Sequence, residues 1–176
     1  MKGGERTIQD VDPISRSLRE AEQKIRILHE ITRVVSSLLD LQPVLDAIVH
    51  LLVEEFKLDA CSIRLLDPDG KLRIRSHKGL SKAFIDQTTR EPTIDSYSGD
   101  CFLTGRIDII NDADQIDKPI STNRIVCENI KSFAVAPIKL EGETIGVLVT
   151  SSKKKHYFHE RFNDVIYVIS NQIGIA

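Results

Sequence analysis

The chain predicts an α+β sandwich, and three observations predict it. Residues 131–152, KSFAVAPIKLEGETIGVLVTSS, hold two apolar runs around a Glu141-Gly142-Glu143 turn. Amphipathic helical patterns stand at both ends of the chain. Between them lie a second, more polar hairpin and a long irregular stretch. Helices that precede and follow mainly antiparallel strands cover a sheet instead of alternating with parallel strands.

Composition narrows the class. With 176 residues, 41% of them hydrophobic and 28% charged, the chain makes one domain with an extension. A net charge of −2 gives no reason to expect nucleic acid or an anionic membrane as partner. No apolar run approaches the ~20 residues a membrane span needs. The polar start, MKGGERTIQD, does not read as a signal peptide. Cys61, Cys101 and Cys127 are irregularly spaced and suggest neither a disulfide framework nor a zinc site. A reducing, cytoplasmic setting is expected, with no metal and no cofactor. Trp is absent and Met occurs once, so the core is aliphatic.

Taken in order, residues 1–12 read as disordered. From Pro13, Ile14, Leu18, Ala21, Ile25, Leu28, Thr32, Val35 and Leu39 step alternately by four and three, an a/d heptad seam. An amphipathic helix lying on its own domain would account for some of this. The sustained 3.5 period favours a coiled-coil-like segment over 13–40 that pairs two subunits through Ile14, Leu18, Ala21, Ile25, Leu28, Val35 and Leu39. A second helix opens at Asp40-Leu41-Gln42-Pro43, with Asp40 or Gln42 as cap. It buries Val44, Leu45, Ile48, Leu51, Leu52 and Phe56 on one wide face.

The first hairpin joins strand Ala60–Leu66 to strand Lys71–Ser76 through Asp67-Pro68-Asp69-Gly70, where Pro presets φ and Gly takes the left-handed position. Leu72 and Ile74 are assigned to the core, and the row Lys71, Arg73, Arg75 to water, as suits an edge strand. Leu80–Gln87 reads as a short helix. Within the irregular stretch, Gly99–Gly105 reads as a helical turn or two closed by glycine, Arg106–Asn111 as a short strand, and Asp112–Thr122 as loop. Such a stretch inside a domain is often a lid or binding segment. In the central hairpin, Gly142 supplies the positive φ of a tight turn. Both its strands are apolar on both faces, so it belongs mid-sheet, covered on each side. Ser132, Ala134, Ala136 and Gly146 form a small-residue face that admits a closely packed helix. Lys153-Lys154-Lys155-His156 reads as a solvated tip, since a phosphate site would want glycines or a helix N-terminus. The last helix runs from about Glu160, with Phe162, Val165, Ile166, Ile169 and Ile173 on one face.

In this order the residues from Leu41 to Ala176 resemble the GAF family of sensory domains. Ala60–Asp67 (ACSIRLLD), Gly99–Gly105 with Ile107–Asn111, Ser132–Pro137 with Glu141–Leu148, and the last helix with Phe158, Asn171, Gln172 and Ile173 carry the resemblance. It implies a PAS-like, mainly antiparallel sheet of five or six strands. Helices from both termini take one face, and an irregular helix and loop roof takes the other. It implies a regulatory module, not an enzyme by itself, that binds a small molecule, forms a homodimer and controls a linked output domain. The output could be a histidine kinase, a diguanylate cyclase, a transcriptional activator or a phosphotransferase. On that roof, Tyr97, Asp100, Cys101, Asn111, Asn123 and Cys127 are the candidate ligand-binding residues.

The chain departs from several branches of the family. Cyclic-nucleotide-binding members carry an Asn-Lys-Phe-Asp-Glu signature. Here Ser152 stands at the Asn, Lys153 fits, and Asn163 follows Phe162 where acids are wanted. Tetrapyrrole-binding members attach pigment at a Cys beside a His, and no Cys here has one. Haem wants an axial ligand, usually His, and none of the five His falls in the irregular stretch. A second class stays open: free-methionine sulfoxide reductases share this fold and place cysteines much as Cys101 and Cys127 stand, and a redox-sensing pair of the same two cysteines is the other form of this reading. Such chemistry needs a thiolate and a resolving thiol. The residues around Cys127 match that branch poorly, and its third Cys is missing. Asp112, Asp114 and Asp117 lack the spacing of an EF-hand.

Overall fold

The computed structural model of the chain describes residues 13–37, 40–119, 125 and 127–175. The predicted disorder of 1–12, Leu39 and Asn123 lie outside these residues. The elements are helices α1 (Pro13–Ser37) and α2 (Leu41–Phe56), strands β1 (Ala60–Leu66) and β2 (Leu72–Lys78), helices α3 (Lys82–Asp86) and α4 (Tyr97–Thr104), strands β3 (Asp108–Ile110), β4 (Ser132–Leu140) and β5 (Glu143–Ser152), and helix α5 (Glu160–Ile175). The five strands form one sheet in the order β2-β1-β5-β4-β3, with every pairing antiparallel. No described helix is long and apolar enough to cross a membrane.

The central hairpin sits mid-sheet because neither of its faces can be left wet. Ala134, Ala136, Ile138 and Leu148 join Cys61 and Ile63 under α1, α2 and α5 in the larger core, which also holds Ile48, Leu52, Ile166 and Ile169. Phe133, Val135 and Val147 form the smaller core with Tyr97, Cys101, Ala113, Ile125 and Ile130 of the irregular stretch. One face is thus covered by the terminal helices and the other by a roof, as expected. The turn uses left-handed conformations at Glu141 (φ 51°) and Gly142 (φ 91°).

The helix-side face is small at Ala134 and Ala136, and the helices come close. Gly174 of α5 shows how close: a Cβ there would stand 1.9 Å from the Lys139 carbonyl oxygen. Gly146 serves a different neighbour from the one expected. Its absent Cβ makes room for β1, 2.3 Å from the Arg64 carbonyl oxygen and 2.6 Å from a Leu65 methyl, and not for a helix.

β2 is an edge strand, but its alternation is broken. The register slips between Ile63 and Arg64, opposite Ser76 and Ile74, so Arg75 is an extra residue in the ladder. Ser76 therefore turns to the helix side, where its hydroxyl donates to Asp46 of α2 at 2.6 Å. Arg73 and Arg75 meet the Asp67 carboxylate of the preceding turn. The edge is partly closed by Arg90, whose carbonyl accepts from the Leu72 amide at 2.8 Å. At the start of α2 the backbone of Asp40 is extended, but its side chain makes no cap bond. Gln42 bonds Asp46 and the Arg75 carbonyl instead.

α1 rests on its domain through Ile27 and Ile31, 1% and 0% exposed, which the heptad seam does not include. Leu18 and Ile25 of that seam are 59% and 56% exposed, Ala21 is exposed, and Leu28 is partly buried against the domain's own core. The side chains of Ile14 and Val35 lie outside what is described. α1 therefore carries two apolar faces, one spent on the domain and one turned to solvent.

Replacing Gly146 with Ala should lower the unfolding free energy by ~1–3 kcal/mol through overpacking against β1. Urea unfolding of variant and parent checks this, and equal stabilities would mean that β1 and β5 can separate there without cost.

Candidate functional site: a cavity between sheet and roof

A cavity of about 60 Å³ lies between the roof-side face of the sheet and the roof itself. Its floor is Phe133 and Val135 of β4, Val149 and Ser151 of β5, Arg64 of β1 and Leu72 of β2. Its cover comes from Phe84 of α3, Thr88 to Pro92 in part, the first turn of α4, Ile125 and Ile130.

Each wall follows from local sequence. Ser81 caps α3, accepting from the Phe84 amide at 3.2 Å, and brings the Phe84 ring over the sheet. Ser96 caps α4, accepting from the Gly99 amide at 3.0 Å, and Gly105 closes it in the left-handed region at φ 63°. Gly99 has no alternative, because a Cβ there would fall 2.2 Å from the Thr93 carbonyl oxygen. α4 thus starts at the cavity and runs away from it, turning the positive end of its dipole toward the space.

Arg64 is the unusual residue of the floor. It belongs to an inner strand, paired with β2 on one side and β5 on the other. Alternation puts Ile63 on the helix side, so Arg64 must point into the roof, where it is 7% exposed. Its guanidinium lies 5.9 Å from the centroid of the Phe84 ring and donates through Nη1 to Ser98 Oγ at 2.9 Å. Its buried Nε has no partner, and neither has the buried Nε of Arg90. Arg90 donates through Nη2 to the Gln87 carbonyl at 3.0 Å. Burial, and after it the charge of Arg90, push the Arg64 guanidinium down to about 10. Burial likewise lowers Arg90.

Of the residues predicted to line a ligand site, Tyr97 is in the wall. Its ring meets Phe133 edge-on at 5.1 Å, and its hydroxyl donates to Asp117 at 3.0 Å. Burial and Asp117 push that hydroxyl up to about 12. Asp100 turns outward to Lys118, with Nζ to Oδ2 at 2.7 Å. Cys101 is fully buried, its thiol directed at the Val135 carbonyl 3.7 Å away; burial pushes that thiol well above its ordinary range. Asn111 clasps the chain ahead of α5, donating to the Phe158 carbonyl at 2.8 Å and accepting from the Phe158 amide at 3.1 Å. Cys127 is exposed, and Asn123 lies outside the described residues. Two other readings become specific here. Lys155 of the basic turn pairs with Asp112 at 2.9 Å and Asp114 at 2.6 Å, so tip and acidic loop neutralise each other.

Sequence reasoning missed Arg64 and Arg90. For Arg64 the signal was present: a strand next to a hairpin buried on both faces cannot turn an arginine to water. For Arg90 there was none, since a single β-bridge to Leu72 positions it.

The family model described as GAF domain matches residues 39–176. The GAF domain region of a Geobacter sulfurreducens PCA protein named as a membrane protein is 38% identical, over 78% of this chain and 92% of that one, with a TM-score of 0.71. The GAF domain of an Acinetobacter phosphoenolpyruvate-protein phosphotransferase is similar at 22% identity, over 86% and 90% of the two chains, with a TM-score of 0.72. A free methionine-R-sulfoxide reductase from Neisseria meningitidis, solved with its substrate, shares the fold at 20% identity, over 89% of each chain, with a TM-score of 0.76. No curated protein matches the chain. Sheet order, two-sided covering and the match over 39–176 agree, and the chain belongs to the GAF domain family.

Proposed function

We propose that this chain is a non-catalytic sensory domain of a larger cytoplasmic signalling protein. A small molecule binds in the cavity, and the terminal helices pass the response to a linked output domain. The observation that carries the reading is the cavity itself: its floor is the sheet that holds α1 and α5, and its cover is the separate roof. A ligand touching both would favour one arrangement of roof on sheet over another, and that difference in affinity is all a population shift needs.

The second half of the proposal is a homodimer through α1. The seam residues Leu18 and Ile25 face away from a domain that already holds α1 by Ile27 and Ile31, and the exposed Ala21 lies at the flank, on the rim of the groove between α1 and the domain. A second copy of the same seam is the occupant that a heptad period fits. The output domain would be of the kind found in two-component and related systems, a histidine kinase, diguanylate cyclase, transcriptional activator or phosphotransferase.

A sulfoxide reductase reading through Cys101 and Cys127 is less well supported. A reactive thiol needs thiolate character and access. Cys101 has neither, being fully buried and held against a backbone carbonyl.

Three outcomes are expected. Native mass spectrometry of gently purified protein should give a dimer carrying mass beyond the polypeptide, and a ligand-free monomer would remove both halves of the proposal. The double substitution Leu18→Glu with Ile25→Glu should give a monomer in sedimentation velocity with unchanged circular dichroism; a variant that still dimerises would exclude this seam. A chromogenic disulfide should modify Cys127 rapidly in folded protein and reach Cys61 and Cys101 only on unfolding. Rapid modification of Cys101 would restore the enzyme reading.

A further inference from the structure

Two arginines reach one small cavity, and among the described residues no carboxylate answers their charge. Arg64 is more than nine-tenths buried on an inner strand, and its Nε is buried without a partner. Arg90 enters from the roof with its Nε in the same condition. Among the described residues neither guanidinium forms an ion pair; their bonds go to a hydroxyl, Ser98 Oγ, and a carbonyl, Gln87 O. The first turn of α4 adds the positive end of a helix dipole to the same space. The one carboxylate of the wall, Glu91, is solvent-exposed and pairs with neither arginine. Holding the Arg64 cation out of water with a second, half-buried cation beside the same space is costly, and an anion placed between them relieves that cost.

From this geometry we infer that the cavity binds a small organic carboxylate, held by Arg64 from the sheet and Arg90 from the roof. The planar guanidinium fork matches a carboxylate's two oxygens. Phe133, Val135, Val149 and Ile130 offer apolar surface for a short stem, which an inorganic anion would leave unused. A space of about 60 Å³ takes about four or five water-sized groups, which is the size of a short-chain acid. The inference rests on the sensory reading and names its ligand class. It also gives the ligand a mechanical role. A carboxylate between Arg64 and Arg90 would join sheet to roof and offset the repulsion between the two guanidiniums.

The test is thermal unfolding of the intact chain with sodium propionate, propionamide, sodium phosphate or sodium chloride at matched ionic strength. Propionate should raise the melting temperature saturably, by about 5 °C or more at a ~100-fold excess over its dissociation constant. Propionamide and chloride should not. Arg90→Gln, at the half-exposed rim of the roof, should abolish the response with the fold intact, and Arg64→Met should do the same. If Arg64→Met fails to fold, Arg90→Gln still decides. Equal shifts with propionate and propionamide would overturn recognition by charge and leave small-molecule binding standing. A shift with phosphate alone would overturn the carboxylate. An unaltered response in Arg90→Gln, or no shift with any probe, would overturn the inference. In the last case the retained mass in native spectrometry separately decides whether the cavity is a sensory site at all.

Discussion

The structure depends on one constraint: a five-stranded sheet with both faces covered. An antiparallel sheet commonly wets one face, and its inner strands then alternate between apolar and polar. Here β4 and β5 have no wet face. Terminal helices and roof follow from that as coverings the hairpin cannot do without, and a polar side chain on an inner strand is buried whichever way it points. Small residues settle the helix side, where Ala134 and Ala136 let the helices pack low. On the roof side larger residues, Phe133, Val135 and Val147, meet a covering built from short and irregular pieces. An irregular cover over a regular floor leaves gaps, and one of them contains Arg64.

Most of the fold could be read because its signals are local. The Glu-Gly-Glu turn, the glycine that ends α4, the Asp-Pro-Asp-Gly turn and the 3.6 period of α2 and α5 each act within a few residues. What could not be read depends on partners distant in sequence. The bulge at Arg75 exists because β2 must serve α2 at Ser76 and the roof at Leu72. Gly146 looked like a helix contact until β1 was seen beside it. In α1 the heptad count traced one seam and passed over Ile27 and Ile31, because two apolar faces on one helix have overlapping periods.

The site followed the same rule more sharply. Polar and reactive groups in the irregular stretch were reasonable candidates, but three of the six serve packing and tying instead. Asp100 secures Lys118, Cys101 fills the space against Val135, and Asn111 ties down the chain before α5. Beside Tyr97, which the sequence did offer, the cavity takes its charge from residues that looked least informative, an arginine in a strand and an arginine in a loop.

The clasp at Asn111 has one more consequence. One side chain grips both the amide and the carbonyl of Phe158, just ahead of α5, while its own backbone carbonyl accepts from His156. The roof end of β3 and the root of the last helix are therefore one joint. An aspartate at this position changes a single atom, nitrogen to oxygen. It would keep the acceptor for the Phe158 amide but set a charged oxygen against the Phe158 carbonyl, turning one half of the grip into repulsion.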